Sequence, residues 1–193
     1  MGDFKLLNMR FSQFEIWEIV KSLVGVSLIF GIATVGLNLK LIAALPLMLF
    51  TAGVGFLFHE LAHKYLAQRY HCWAEFRANN GALLIGLLLS FTGFVLIAPG
   101  GVFIHGATAK QHGRIAFSGP FMNLLVALAF LALGFWIPSA IFAYGFRINA
   151  LLCAFNLIPF PPFDGFSVWR WSRLAYFLIA GVALILFVLS GAL

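Results

Sequence analysis

The sequence predicts an all-α integral membrane protein, on its composition and on its long apolar runs. Hydrophobic residues make up 63% of the 193 positions and charged residues only 9%, and the mean hydropathy is +1.02. Soluble domains contain about 45–50% apolar and about 25% charged residues. Runs of about 20 apolar residues, which is the length that crosses the hydrocarbon core of a bilayer, recur along the chain. We therefore expect about five full transmembrane helices and one shorter apolar segment that is embedded or re-entrant.

Five runs are long enough to be predicted as spans: 17–37, 41–67, 117–137, 140–160 and 174–192. The start of the chain is amphipathic and of mixed charge, without the features of a cleaved signal peptide, so we expect the first span to be retained. A sixth run, from Gly81 to Ile97, is short for a span and is interrupted by glycine, serine and threonine. The number of spans depends on whether this run crosses the membrane.

Positive charge favours the model in which the run from Gly81 to Ile97 turns back. If it crosses, six Lys and Arg side chains lie on one side of the membrane and five on the other. If it returns, ten lie on the N-terminal side and Lys40 alone lies opposite, with Arg147 left out because it falls within a helix. Positive residues concentrate in cytoplasmic loops, so we expect a multi-pass protein with a cytoplasmic N-terminus.

The net charge of +6 does not indicate nucleic-acid binding. The twelve Lys and Arg residues are scattered singly, and no basic patch with interleaved aromatic residues occurs. We expect no nucleic-acid partner.

His59, Glu60 and His63 form an H-E-x-x-H motif inside the second predicted span. Positions four apart share one face of a helix, so both imidazoles can reach one metal ion while the glutamate lies beside a bound water. A chance match in a chain of this composition is expected on the order of a few times in a thousand. The alternative is that the histidines join helices through hydrogen bonds and that Glu60 pairs with a lysine, although ionisable groups at membrane depth are costly.

A third ligand is needed, because catalytic zinc has three protein ligands and one open position. The chain has two aspartates: Asp3 lies in the amphipathic start, and Asp164 follows the apolar run 140–160. Three prolines and Gly165 can bend the chain inward at Asp164. Alternatively, the prolines merely end a helix and Asp164 is solvated. Only the five-span topology places Asp164 on the same side as the histidines. With these three ligands together, we expect one zinc ion per chain.

Three motifs, in this order, resemble those of the site-2 protease family of intramembrane zinc metalloproteases. They are H-E-x-x-H at 59–63, G-P-x-x-N at 119–123 and N-x-x-P-x-x-P-x-D-G at 156–165. The resemblance implies zinc ligands and a catalytic base at positions that the chemistry also selects, namely His59, His63 and Asp164 for zinc and Glu60 as the base. It further implies that Asn156 and Asn123 support the site.

The resemblance also implies a short β-hairpin or strand element before the third full span. The stretch from Ala98 to Gly106, with its Gly-Gly pair, matches that feature. An extended substrate can add to a strand edge, and the expected edge consists of Gly100, Gly101, Val102, Phe103 and Ile104. We expect residues 1–193 to form a single membrane-embedded metalloprotease domain, without a PDZ or CBS-like appendage.

The predicted function is an intramembrane zinc endopeptidase that hydrolyses peptide bonds of transmembrane proteins through a metal-activated water. The Asn156 carboxamide could hydrogen-bond the substrate or the oxyanion, or it could cap or join helices. We expect a prokaryotic cell-membrane location, a role in regulated intramembrane proteolysis, and contacts with lipids and a transmembrane substrate. The alternatives are a metal-binding scaffold or transporter without proteolytic activity, and an inactive relative.

Overall fold

The computed structural model describes residues 4–6, 8–95 and 99–192, and this part of the chain is mostly helical. The strands are β1 (Phe4–Leu6), β2 (Met9–Phe11), β3 (Trp73–Ala78) and β4 (Gly100–His105). The helices are α1 (Gln13–Val35), α2 (Lys40–Met48), α3 (Val54–Arg69), α4 (Asn80–Ser90), α5 (Ala109–Trp136), α6 (Ala140–Asn156), α7 (Asp164–Trp171) and α8 (Arg173–Ala192). A π-helical segment, Leu49–Gly53, joins α2 to α3 into one continuous rod.

Four helical segments of the described chain are long and apolar enough to cross a membrane: Gln13–Val35, Lys40–Arg69, Ala109–Trp136 and Arg173–Gly191. The predicted count of five full spans is therefore not confirmed. The remaining run, predicted as 140–160, is helical only as α6, whose 17 residues extend about 25 Å. That is less than the roughly 30 Å hydrocarbon core. The helix ends there because the chain then enters its proline-rich segment.

Capping explains where two of the spans begin. The Ser12 side chain accepts a hydrogen bond from the N–H of Glu15 at 3.1 Å and starts α1. Thr108 and Gln111 form a reciprocal capping box that starts α5. As a result, α5 begins eight residues before the predicted span 117–137. This extension includes Ile115 as a helical residue of the bundle.

The predicted strand element before the third span is present as β4. It pairs with β3 in an antiparallel register that runs from Trp73 opposite His105 to Ala78 opposite Gly100. The pair is not a hairpin, because α4 lies between the two strands in the sequence. A second antiparallel pair, β1 and β2, was not predicted. It is fixed to α3 by Gln68, whose amide exchanges two hydrogen bonds with the backbone of Arg10.

The run from Gly81 to Ile97 folds as α4 and the turn that follows it, and its last residues, Leu96 and Ile97, lie outside the described part of the chain. The 11 residues of α4 extend about 16 Å. Since Ala78 and Gly100 are strand partners, the chain leaves and re-enters the sheet at one point.

The core has two main apolar clusters that meet at α6. One contains buried residues of β2, α1, β3 and the α2–α3 rod, and the other contains residues of α5 and α8. Both clusters include α6 residues, such as Ile148 in the first and Ala150 in the second. Helix α6 therefore holds the rod and α5 in fixed positions, and these two elements carry most of the site.

Candidate metal centre

Helix α3 places the two histidines of the motif on one face. The Nε2 atoms of His59 and His63 are 3.0 Å apart, and both side chains are buried. This is the arrangement expected for residues one helical turn apart.

Asp164, the first residue of α7, completes a group of three. Its Oδ2 atom lies 3.1 Å from Nε2 of His59 and 3.1 Å from Nε2 of His63. The approach depends on Gly165, because a Cβ atom there would collide with the carbonyl group of Leu157. The sequence separation of 101 residues between His63 and Asp164 is closed by the turn after α6.

Hydrogen bonds on the opposite ring nitrogens fix the tautomers of both histidines. Nδ1 of His63 lies 2.8 Å from the carbonyl oxygen of Ile115, which can only accept, so Nδ1 carries the proton. Nδ1 of His59 lies 2.6 Å from Oδ1 of Asn123. The Asn123 amide is oriented by its Nδ2, which donates to the Gly55 carbonyl at 3.1 Å, so Oδ1 is the acceptor for His59. Each Nε2 therefore presents a lone pair to the group.

This donor set fits a zinc ion. Two imidazole nitrogens and a carboxylate oxygen converge within 3.1 Å, and these are ligand types that zinc takes in proteins. A tetrahedral zinc with bonds of about 2.0–2.1 Å separates its ligand atoms by about 3.3 Å, so small shifts suffice. The hydrogen-bonded Nδ1 atoms are the outer-sphere contacts that orient zinc-binding histidines.

Glu60 lies beside this group with one oxygen free. Its side chain is buried, and its Oε2 has no hydrogen-bond partner among the residues that the structure describes. Glu60 lines a cavity of about 230 Å³ together with the three converging residues. An unpaired buried carboxylate oxygen is costly, and a water molecule in this cavity would satisfy it.

Strand β4 also lines this cavity, and the contacts of β3 show which edge of β4 is free. The N–H of Phe76 donates to Glu15 at 2.8 Å, and the N–H of Ala78 donates to Glu18 at 3.0 Å. These groups of β3 therefore point away from β4. Their partners in the register are Val102 and Gly100.

In an antiparallel pair, the N–H and C=O groups of successive residues point alternately toward and away from the partner strand. The N–H and C=O groups of Gly100, Val102 and Ile104 therefore point away from β3, and all three residues line the cavity of Glu60. A larger cavity of about 520 Å³ adjoins Glu60 and the same strand and extends to Asn79 and Asn80 at the start of α4. The outward edge of β4 therefore faces the space around the candidate base, and the N–H of Val102 is directed at the Glu60 carboxylate.

The structure separates the two predicted supporting asparagines. Asn123 is hydrogen-bonded directly to His59, one of the candidate zinc ligands. Asn156 lines both cavities, but its Nδ2 donates to the carbonyl of Leu152 in its own helix at 3.0 Å. The observed contact of Asn156 is thus the intrahelical one.

Three supporting features are not predicted from the sequence. They are the Ile115 carbonyl, the close approach of Gly119 to both histidines, and the fully buried Asn149. Asn149 carries a signal, since an asparagine inside an apolar helix tends to have a hydrogen-bonding partner across the helix interface. Gly119 belongs to the motif at 119–123, but the motif does not show that this glycine packs against both histidines. The role of the Ile115 carbonyl depends on the backbone and not on the residue type.

The lysine nearest the motif does not pair with Glu60. Lys64 is only 2% exposed, and its Nζ contacts Glu15 at 2.8 Å and the carbonyl oxygen of Ala74 at 2.7 Å. Glu15 also holds the N–H of Phe76. This ion pair therefore fixes the sheet to α1 and α3, and it leaves Glu60 free.

The fold and the centre are those of a helical protein whose described residues include four helices suited to cross a membrane and a candidate metal site, with ligands from an H-E-x-x-H helix and a distant aspartate. The chain is 36% identical over 188 residues to Putative zinc metalloprotease MJ0611 of Methanocaldococcus jannaschii, covering 91% of this chain and 93% of that protein. The chain belongs to this zinc metalloprotease family.

A second relative, Putative zinc metalloprotease YwhC of Bacillus subtilis, is 25% identical over 159 residues, covering 66% of this chain and 69% of that protein. No family model matches the chain, and no solved structure matches it. Both relatives come from prokaryotes.

Proposed function

We propose that the protein is an intramembrane zinc endopeptidase of the site-2 type, which hydrolyses peptide bonds of transmembrane proteins. The observation that carries the proposal is the free, buried Glu60 oxygen beside three converging ligand atoms. The motifs at 59–63, 119–123 and 156–165 and the names of the two relatives point the same way.

The chemistry divides between one zinc ion per chain and Glu60. When bound, zinc lowers the pKa of a coordinated water and polarises the scissile carbonyl. Glu60 takes the proton of the attacking water and later gives a proton to the leaving amine. Asn156 lines the cavities around Glu60, where its carboxamide can hydrogen-bond the substrate or the developing oxyanion.

The depth of the site supports cleavage within the membrane. His63 and His59 precede the end of α3 at Arg69 by six and ten residues, which is about 9 and 15 Å of helix. They lie in the Lys40–Arg69 rod, whose length and apolarity suit a span. A substrate helix at that depth has its peptide groups hydrogen-bonded internally and must unwind before hydrolysis.

An unwound substrate would be held by the free edge of β4. The outward groups of Gly100 and Ile104 and the carbonyl of Val102 can pair with an added strand. The N–H of Val102 is directed at the Glu60 carboxylate instead. The outer edge of β3 cannot compete, because Glu15, Glu18 and Lys64 already occupy its backbone groups. The predicted edge 100–104 thus remains our proposed substrate-binding strand.

The distribution of charge supports a cytoplasmic N-terminus and an α4 segment that does not cross. Exposed basic side chains lie near the starts of α5 and α8, at Lys110, Arg114, Arg170 and Arg173. In the second half of the chain the only acidic residue is Asp164, in the centre itself. These side chains suit contact with anionic lipid headgroups at the cytoplasmic face of a prokaryotic cell membrane.

A metal-binding scaffold or transporter remains the second candidate, because buried histidines and a carboxylate can also hold an ion in transit. The unpaired Glu60 oxygen distinguishes the two functions. A scaffold has no use for an unpaired carboxylate oxygen beside its ligands, whereas a hydrolase requires a base there.

The test compares wild type with Glu60→Gln and with Glu75→Gln, a carboxylate outside the centre. Each purified protein is assayed for bound zinc and for cleavage of a model transmembrane substrate in detergent and in vesicles. We expect zinc in all three proteins and cleavage by wild type and Glu75→Gln only. Equal cleavage by Glu60→Gln would remove Glu60 as the base, and zinc without cleavage by wild type would favour the scaffold.

A further inference from the structure

We infer that Asn149 is a positioning residue for the metal centre: through Asn123 it selects the metal-binding tautomer of His59. The inference rests on the proposed zinc centre and assigns a role to a residue outside its three motifs. Asn149 lies on α6, is fully buried, and touches none of the three candidate ligands.

The orientation of the Asn149 amide is set by backbone acceptors. Its Nδ2 donates to the Gly145 carbonyl at 2.9 Å and lies 3.4 Å from the Thr51 carbonyl in the π-helical segment. Carbonyl oxygens can only accept, so the NH₂ group must face them. The Oδ1 atom of Asn149 must then face the other way, toward Asn123.

Asn149 in turn orients the Asn123 amide. Nδ2 of Asn123 has two N–H groups, which are directed to the Gly55 carbonyl at 3.1 Å and to Oδ1 of Asn149 at 3.2 Å. With both acceptors in place, a flipped Asn123 amide would put its oxygen against two oxygens. The flip is therefore excluded, and Oδ1 of Asn123 faces His59.

The orientation of the Asn123 amide determines which ring nitrogen of His59 carries the proton. Because Oδ1 of Asn123 accepts from Nδ1 of His59, the Nε2 lone pair is left for the metal. If the Asn123 amide flipped, its NH₂ group would face Nδ1, and the ring would move its proton to Nε2, the atom that must bind zinc. The relay runs in one direction, from the backbone of α6 and the π-helical segment through Asn149 and Asn123 to His59.

The packing leaves the Asn149 amide no alternative position. A Cβ atom at Gly55 would collide with Oδ1 of Asn149 and would lie 2.9 Å from its Cγ. Gly55 on α3 thus leaves the space that the Asn149 amide of α6 occupies. Gly55→Ala perturbs the relay from the opposite side without changing Asn149.

The experiment measures zinc affinity of the detergent-purified full chain, by competition with a fluorescent chelator, for Asn149→Leu, Asn123→Ala and the double variant. Outer contacts of zinc ligands are typically worth about 10–100-fold in metal affinity. We expect about a 10-fold loss for Asn149→Leu and the larger loss for Asn123→Ala. The double variant should match Asn123→Ala alone, because Asn149 acts only through that residue.

Thr51→Val is the matched control, because it removes a buried hydroxyl at the same depth but keeps the carbonyl that Asn149 contacts. It should bind zinc like wild type. If Asn149→Leu does not fold, as judged by gel filtration and thermal melting, Gly55→Ala takes its place and should show the same loss and the same non-additivity.

Unchanged zinc affinity in Asn149→Leu or its substitute, or losses that add in the double variant, would overturn the inference while leaving the zinc centre intact. A wild type that binds zinc but cleaves no peptide would overturn the proposed function alone. A wild type that binds no zinc would overturn both.

Discussion

Gly119→Ala is the substitution whose effect on the metal centre can be worked out most directly. Gly119 lies on α5 against both histidines, and an added Cβ atom would stand 2.7 Å from Cε1 of His59 and collide with Nε2 of His63. Cβ contacts under 3.0 Å essentially do not occur and ordinary contact begins at 3.4 Å, so His59 must move by about 0.3 Å and moves by about 0.7 Å to reach ordinary contact. Metal sites hold ligand distances to about ±0.2 Å.

We therefore expect Gly119→Ala to weaken zinc binding by about 10–100-fold, the range for disturbed ligand orientation, which corresponds to about 1.4–2.8 kcal/mol. The assay is chelator competition on metal-free protein in micelles. Gly134→Ala, on the same helix, is the control, since its Cβ would meet its nearest neighbour, Phe142, at 3.4 Å. Equal zinc affinities for the two variants would refute the placement of the histidines against α5.

Three further predictions concern the ion pair, the strand edge and the third ligand. Glu15→Gln leaves the buried Lys64 charge without its partner and should lower the free energy of unfolding by about 3–5 kcal/mol. The double variant with Lys64→Met should recover most of that loss, and a denaturant titration in which the two losses add would contradict this. Ile104→Pro removes an outward N–H from the β4 edge and leaves the Val102 N–H that faces Glu60 in place. It should raise KM for a transmembrane substrate while the unfolding midpoint changes little, and an unchanged KM would argue against strand addition. Asp164→Asn should lose at least about 10-fold in zinc affinity with the fold retained, and an unchanged affinity would exclude it as a ligand.

The local parts of this structure could be predicted from the sequence. The length of apolar runs located α1, the α2–α3 rod, α5 and α8, because spanning the membrane requires about 20 apolar residues whatever the neighbours. The predicted span 140–160 was less accurate, because the prolines after Asn156, and not the hydrophobicity of the run, determine where the helix ends. Strands β1 and β2 have too few residues to show a recognisable alternation of apolar and polar positions.

In the candidate metal centre too, local features could be predicted from the sequence and features set by tertiary packing could not. His59 and His63 follow from a spacing of four on one helix, which is a local property. Asp164 could be proposed because the chain has so few acidic residues and because prolines precede it. The orientation of the histidines could not be predicted, since it depends on the backbone of Ile115 and on the Asn149 relay, which tertiary packing brings together.

The most direct test of the whole account is a zinc reconstitution of cleavage. Metal-free protein is titrated with zinc while bound metal and cleavage of a model transmembrane substrate are measured in the same samples. We expect no cleavage without metal and a rise that reaches its plateau at one zinc ion per chain. Cleavage that persists in metal-free protein, or that does not follow zinc occupancy, would contradict a zinc endopeptidase built on His59, His63 and Asp164.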